Sequence, residues 1–185
     1  MKNFYYIILI LFLASSGCKD KQEQLCEGVV CENGGDCING DCDCLEGYDG
    51  PSCGSQITPS RIRILSITIA KFPLFEEDGS SWDIGSAPDL TLAFSRGSTL
   101  IHEQPTQFKN ATGENSYRYT PSTPIDITSP NDRHVISLYD YDDLGANDFM
   151  GGVEFTPYNN QNDFPESLDV TFGNVGFVFQ LGYDW

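Results

Sequence analysis

Positive charge is scarce in this chain. Ten Lys and Arg stand against 27 Asp and Glu, a formal net charge of −17 over 185 residues. That excludes nucleic acid as a partner, because phosphate binding needs clustered cations. Histidine is scarcer, at two residues, His102 and His134, in separate apolar runs where each reads as an ordinary strand or rim residue. No GxSxG elbow, HExxH pair or P-loop occurs, so the chain carries no enzyme signature. No apolar run reaches the roughly 20 residues of a membrane-spanning helix. Strong helix formers are few, whereas Gly, Ser, Thr, Asp, Pro, Tyr and Phe abound, which favours strands and turns.

One apolar run is present at the N-terminus. "MKN" carries a lysine, and "FYYIILILFLA" then gives eleven mostly apolar residues, the length of a signal-peptide core. The run closes on "SSGC". The chain has seven cysteines, an odd number that needs explaining in an exported protein. The stretch resembles the lipobox of bacterial lipoproteins, with Ser15 where that family usually has leucine. The resemblance implies a signal peptide over 1–17, acylation of Cys18 and attachment to the outer membrane through the N-terminal lipid. The following "KDKQEQ", in a tether over 18–25, resembles the surface-export signals of Bacteroidota lipoproteins. Ordinary secretion with Cys18 unpaired is the plainer alternative.

The other six cysteines crowd into "CEGVVCENGGDCINGDCDCLEGYDGPSC", residues 26–53. So short a segment buries little core, and cross-links must supply its stability. Spacing alone leaves fifteen pairings open. Zinc is a rival, because CxC can ligate it, but an exported setting favours disulfides. The "CxNGG.C", "CxC" and "GYxGxxC" features resemble an EGF-like domain. That resemblance implies Cys26–Cys37, Cys31–Cys42 and Cys44–Cys53, with Gly34, Gly35, Gly47 and Gly50 supplying turns of positive φ. The acidic calcium motif of many such modules is missing, since Glu23 is the only acid in "KQEQLC". The module therefore reads as a stapled spacer, with protein binding as the alternative.

"GSQITPS" (54–60) reads as a linker. Beyond it, "RIRILSITIA" alternates apolar and polar residues as a half-buried strand does. "DLTLAFS", "TLIHEQ", "YRYT", "PIDIT", "HVISLYDYD", "FMGGVEFTPY", "LDVTF" and "VGFVFQLGY" follow, punctuated by Pro, Gly, Asn and Asp. The expected architecture is a seven- or eight-stranded antiparallel β-sandwich over 61–185. Its acids gather where strands end, in "EEDGSSWDIGSAPDL" and in "LYDYDDLGANDFMG". Two acidic loops that meet at one end of a sandwich give carboxylates without cations, the oxygen-rich setting that holds Ca²⁺. An EF-hand fails, because the fifth and twelfth positions counted from Asp140 hold Leu144 and Gly151. A solvated turn is the bland alternative. A catalytic carboxylate pair, as in a small hydrolase or accessory enzyme of polymer uptake, needs fewer acids.

The two acidic loops resemble those of a C2 domain, a calcium- and lipid-binding β-sandwich. In that family one loop offers two aspartates six apart, matched by Asp83 and Asp89. A later loop offers DxD and a third aspartate six positions on, matched by Asp140, Asp142 and Asp148, with Gly151 closing the motif. The resemblance implies a Ca²⁺ site of these five residues. Asp143 has no ligand position, and Glu77 and Asp78 are weaker candidates. Trp82 reads as loop packing. The family's loop-tip apolar positions fall on Ile84 and Leu144, a tip for membrane or ligand. The basic residues that family members use on anionic lipid are largely missing. Asp143 and Ala146 occupy the loop, and Arg118 is nearly alone in its strand. The expected function is non-enzymatic, calcium-dependent binding of phospholipid, glycan or protein by a lipid-anchored protein. Calcium as a purely structural ion, with the binding face elsewhere, is the alternative.

Overall fold

The computed structural model describes residues 21–185, so Cys18 and the signal-peptide stretch lie outside the described residues. The chain divides into two compact units. One holds residues 21–45 and 50–54, the other 46–49 and 55–185. Among the described residues no helix is long and apolar enough to cross a membrane.

The smaller unit has a five-residue helix, α1 (Lys21–Leu25), and a hairpin of β1 (Asp36–Ile38) and β2 (Asp41–Asp43). Asn39 and Gly40 turn the hairpin at φ 56° and 98°, the left-handed pair that matches strand twist. Its cross-links are Cys26–Cys37, Cys31–Cys42 and Cys44–Cys53, the pairing that the resemblance implies. Gly34 has positive φ as expected. Gly35 does not, and its reason is space: a Cβ there would sit 2.8 Å from the Cys53 sulfur. With so little buried, the bridges dominate stability. Replacing Cys31 and Cys42 together by Ser should cost roughly 2–5 kcal/mol, read as loss of hydrogen-exchange protection across β1 and β2.

In the larger unit, β3 (Tyr48–Asp49) pairs with β4 (Ser55–Gln56). Part of the expected linker is therefore strand. A sandwich follows, made of β5 (Arg61–Lys71), β6 (Leu90–Arg96), β7 (Thr99–Glu103), β8 (Tyr117–Tyr119), β9 (Ile125–Ile127), β10 (His134–Asp140), β11 (Asp148–Phe155), β12 (Ser167–Phe172) and β13 (Val175–Asp184). One sheet runs β12-β13-β5-β8, with β9 also on β5. The other runs β11-β10-β6-β7. Every pairing is antiparallel.

Inward residues of the four central strands make the core. They include Ile62, Ile64, Ile67 and Ile69 of β5, Phe177 and Phe179 of β13, Leu92 and Phe94 of β6, and Ile136 and Leu138 of β10. Burying each is worth about 1.5–3 kcal/mol. In β5 the alternation changes phase. Ile64 pairs with Leu181 and Ser66 with Gln180, so Leu65 is the extra residue of a bulge. Leu65 is exposed and Ser66 buried, where its hydroxyl accepts from Arg118 Nε at 3.1 Å. A second irregularity, where Leu138 pairs with Gly151 and Tyr139 with Phe149, leaves Met150 over. Gly151 takes φ 147°, and a Cβ there would lie 2.8 Å from Val175 Cγ1.

Candidate metal centre

Strand pairing gathers three loops at one end of the sandwich. Loop A (72–89) joins β5 to β6, loop B (104–116) joins β7 to β8, and loop C (141–147) joins β10 to β11. Asp140 pairs with Leu90 on one side and Asp148 on the other, so the end of β10 brings loops A and C together. Backbone bonds fasten them. Tyr141 N–H donates to the Asp89 carbonyl at 2.7 Å, and Ala111 N–H to the Pro88 carbonyl at 2.7 Å. Leu90 and Phe108 exchange two bonds, at 2.9 and 2.8 Å.

Asp140 is the centre of this end. It is 0% exposed. Its Oδ1 accepts from Asp89 N–H at 2.6 Å, while its Oδ2 is buried with no partner. A buried carboxylate left half-satisfied is costly. Its pKa is raised from 3.8 to about 6, chiefly by burial; the Asp89 N–H bond opposes the rise and the charges of Asp83, Asp142 and Asp89 add to it. These three aspartates therefore lie close enough to act on it. Asp148, on the exposed start of β11, faces Asp140 by register.

Among the described residues no three acidic side chains close on one point at ligating distance. Carboxylates brought to ~4 Å of one another without a cation repel by about 4 kcal/mol per pair near a protein surface. None of the five aspartates is in an ion pair with Lys or Arg among the described residues. The donor set, carboxylates on two converging loops and the strand ends beside them with an orphaned buried oxygen among them, fits a hard oxygen-seeking cation and not a soft one.

Two asparagines of this end were not singled out in the sequence. Asn110, at φ 51°, donates its N–H to Asp89 Oδ1 at 2.7 Å. Asn147 Oδ1 accepts from Asp142 N–H at 3.2 Å. Both orient a candidate ligand. The only signal in sequence was a turn-prone Asn in each loop. Asp143 is exposed. Asp78 accepts from Ser80 N–H and Oγ, bonds that hold its carboxyl below the usual range, so its oxygens serve the turn. Trp82 donates to the Pro73 carbonyl at 3.0 Å, as loop packing requires. Ile84 and Leu144 point into solvent, at 107% and 95% exposure. Both histidines are engaged elsewhere. His102 Nε2 lies 2.7 Å from the Tyr119 hydroxyl, and His134 stacks on Phe94 with Nδ1 at 2.9 Å from the Asp132 carbonyl. Burial lowers the pKa of each.

No protein-family model matches the sequence, and no curated protein matches it. Among solved structures, human GIVD cytosolic phospholipase A2 in complex with methyl gamma-linolenyl fluorophosphonate matches at 15% identity and TM-score 0.41, covering 66% of this chain and 17% of that one. A C2 domain of plant extended synaptotagmin 1 matches at 11% identity and TM-score 0.37, covering 69% of this chain and 97% of that domain. The chain thus spans about a sixth of the phospholipase. At these scores the overlap is too loose to argue from, and the architecture rests on the strand pairing above.

Proposed function

We propose that the three-loop end binds Ca²⁺ and, through it, a phospholipid surface. One observation carries this reading: the fully buried Asp140, with Oδ2 unpartnered and three further aspartates acting on it. Bound Ca²⁺ supplies the missing positive charge and a partner for that oxygen. Asp83, Asp89, Asp140, Asp142 and Asp148 would hold it, together resembling a C2 ligand set. Ile84 and Leu144 stand exposed on the two loops that carry the aspartates, as side chains that enter a bilayer must. A C2-like domain on an EGF-like stapled spacer is the module organisation that goes with this reading. Binding, not catalysis, is its role.

The anchor belongs to the same proposal. Three disulfides use six of seven cysteines, which leaves Cys18 for acylation at the outer membrane of a bacterium. Cys18→Ser should abolish lipid labelling and membrane fractionation. Unchanged fractionation with no label on the parent protein would sink the anchor.

The metal is tested by thermal melting of the intact chain with calcium. At ten times Kd, Ca²⁺ stabilises the native state by about 1.4 kcal/mol through mass action. A melting temperature unmoved up to ~10 mM, above the range of extracellular modules, would overturn the site. Terbium offers a second readout, because Trp82 adjoins Asp83 and can sensitise its emission.

A further inference from the structure

Beside the Asp140 cluster, and sharing Asp148 with it, a groove of about 1350 Å³ runs between the open edges of the two sheets. Its floor is β11, whose single strand partner among the described residues is β10. The β12–β13 turn forms one wall, with Phe172 exposed on it. Loop A forms the other, with Phe75 exposed and the Trp82 ring behind it. Its lining includes five acids, Glu76, Glu77, Asp78, Asp148 and Glu154, and no Lys, Arg or His. Only Glu154 has an ion-pair partner among the described residues, Arg133 at 3.0 Å.

We propose that β11 takes an extended, positively charged peptide segment of a partner protein as an added strand along this groove. An edge strand presents unpaired N–H and C=O groups that template a further strand. Proteins blunt such edges with lysine, proline or a bulge; "DFMGGVEF" has no lysine or proline, and its one irregularity, at Met150, leaves the stretch from Gly151 to Phe155 in regular register. Gly151 and Gly152 add no side chain of their own at mid-strand, though Val175 packs over Gly151 and the Phe149 ring reaches Gly152. Eight residues of β11 span about 26 Å, room for six to eight residues of an extended partner.

Charge selects the occupant. A second copy of this chain is repelled, because pairing two such edges sets acid against acid. A neutral glycan finds aromatic faces in Phe75, Phe149 and Phe172 but leaves the carboxylates unanswered. A segment alternating Lys or Arg with apolar residues answers both. Its cations meet the acids and aromatic faces, and its apolar side chains cover the exposed rings. Asp148 is common to this groove and the metal centre, but strand addition needs no Ca²⁺, so a test run without the ion reads it separately from the metal.

The test is fluorescence anisotropy with the full chain in EDTA. The probe is a capped octapeptide alternating Lys and Val. Controls are the same peptide N-methylated at alternate residues, which keeps charge and removes strand pairing, and a Glu–Val analogue. Saturable binding should weaken about tenfold or more on N-methylation, the worth of one or two hydrogen bonds. It should vanish for the Glu–Val peptide, and fall about tenfold in Glu77→Lys/Phe172→Lys with the melting temperature unchanged. Hydrogen exchange should slow at the amides of 148–155. No saturable binding, equal affinity of the N-methylated peptide, or protection elsewhere overturns the proposal. So does displacement of the peptide by a neutral oligosaccharide such as maltohexaose, which would assign the groove to glycan.

Discussion

Asp140→Asn should make the calcium-free protein more stable at neutral pH and remove most of the stabilisation that calcium gives. The sign follows from the two protonation equilibria. In the unfolded chain this carboxyl ionises near 3.8, in the folded calcium-free chain at about 6. Between those values the unfolded state releases a proton that the folded state keeps. The carboxyl's contribution to stability is thus fully present below pH ~4 and is lost as pH rises through ~6, by on the order of 1–3 kcal/mol. Asn carries no charge to lose. Its Oδ1 can keep the Asp89 N–H bond of 2.6 Å, and its amide can donate to the surrounding carboxylates where Oδ2 had no partner. The variant and the parent should melt together near pH 4 in EDTA, and the variant several degrees higher at pH 7.

Calcium reverses the order. In the parent the ion occupies the deprotonated site, and its increment should fade below pH ~6, where the proton competes for Asp140. In the variant most of that increment is gone at any pH. Melting curves at pH 4, 5.5 and 7, with EDTA and with calcium, read both effects in one series. Equal calcium shifts in parent and variant would remove Asp140 from the ligand set. A calcium-free variant less stable than the parent at pH 7 would show that the carboxylate is satisfied by contacts other than a metal.

The strands were legible in the sequence because alternation is a local signal. Each apolar run named from Arg61 onward became a strand, nine in all where seven or eight were expected, because the three-residue β8 and β9 both pair with β5. The bulge at Leu65 was not legible. An apolar pair at Ile64 and Leu65 breaks alternation, but only the pairing with β13 decides which of them faces out. Spacing placed Asp83, Asp89, Asp140, Asp142 and Asp148 at strand ends, since turns and acids coincide along the chain. It gave no hint that Asp140 would be the fully buried one with an orphaned oxygen. That depends on Leu90 and Asp148 flanking it across two strands. The groove was invisible for the same reason. Its floor and walls come from loop A, β11 and the β12–β13 turn, with loop A about 70–100 residues from the other two, brought together only by sheet order. Ser55–Gln56 looked like linker because two residues carry no periodicity.

The loop tips lead to the other large effect. Calcium should drive the intact chain, carrying Cys18→Ser so that no lipid of its own confuses the readout, onto phospholipid vesicles. Ile84→Ser/Leu144→Ser should cut that binding about 10- to 100-fold. Full burial of an Ile or Leu side chain is worth about 1.5–3 kcal/mol, and partial entry of two of them into the acyl boundary gives about half the sum. Exposure at 107% and 95% means that neither side chain packs on its own domain, so the substitutions should leave the melting temperature and the calcium shift unchanged. Loss of binding with both intact separates membrane entry from damage to the metal site. Anionic lipid should gain little over neutral lipid beyond what the ion bridges, because the chain carries −17 and the loop has acids in place of lysines. Co-sedimentation with anionic and with neutral vesicles, with and without calcium, measures all of this. Pelleting that is equal in parent and variant would take Ile84 and Leu144 out of the binding surface. No pelleting at saturating calcium would leave the three-loop end to a glycan or protein, with the metal as its bridge.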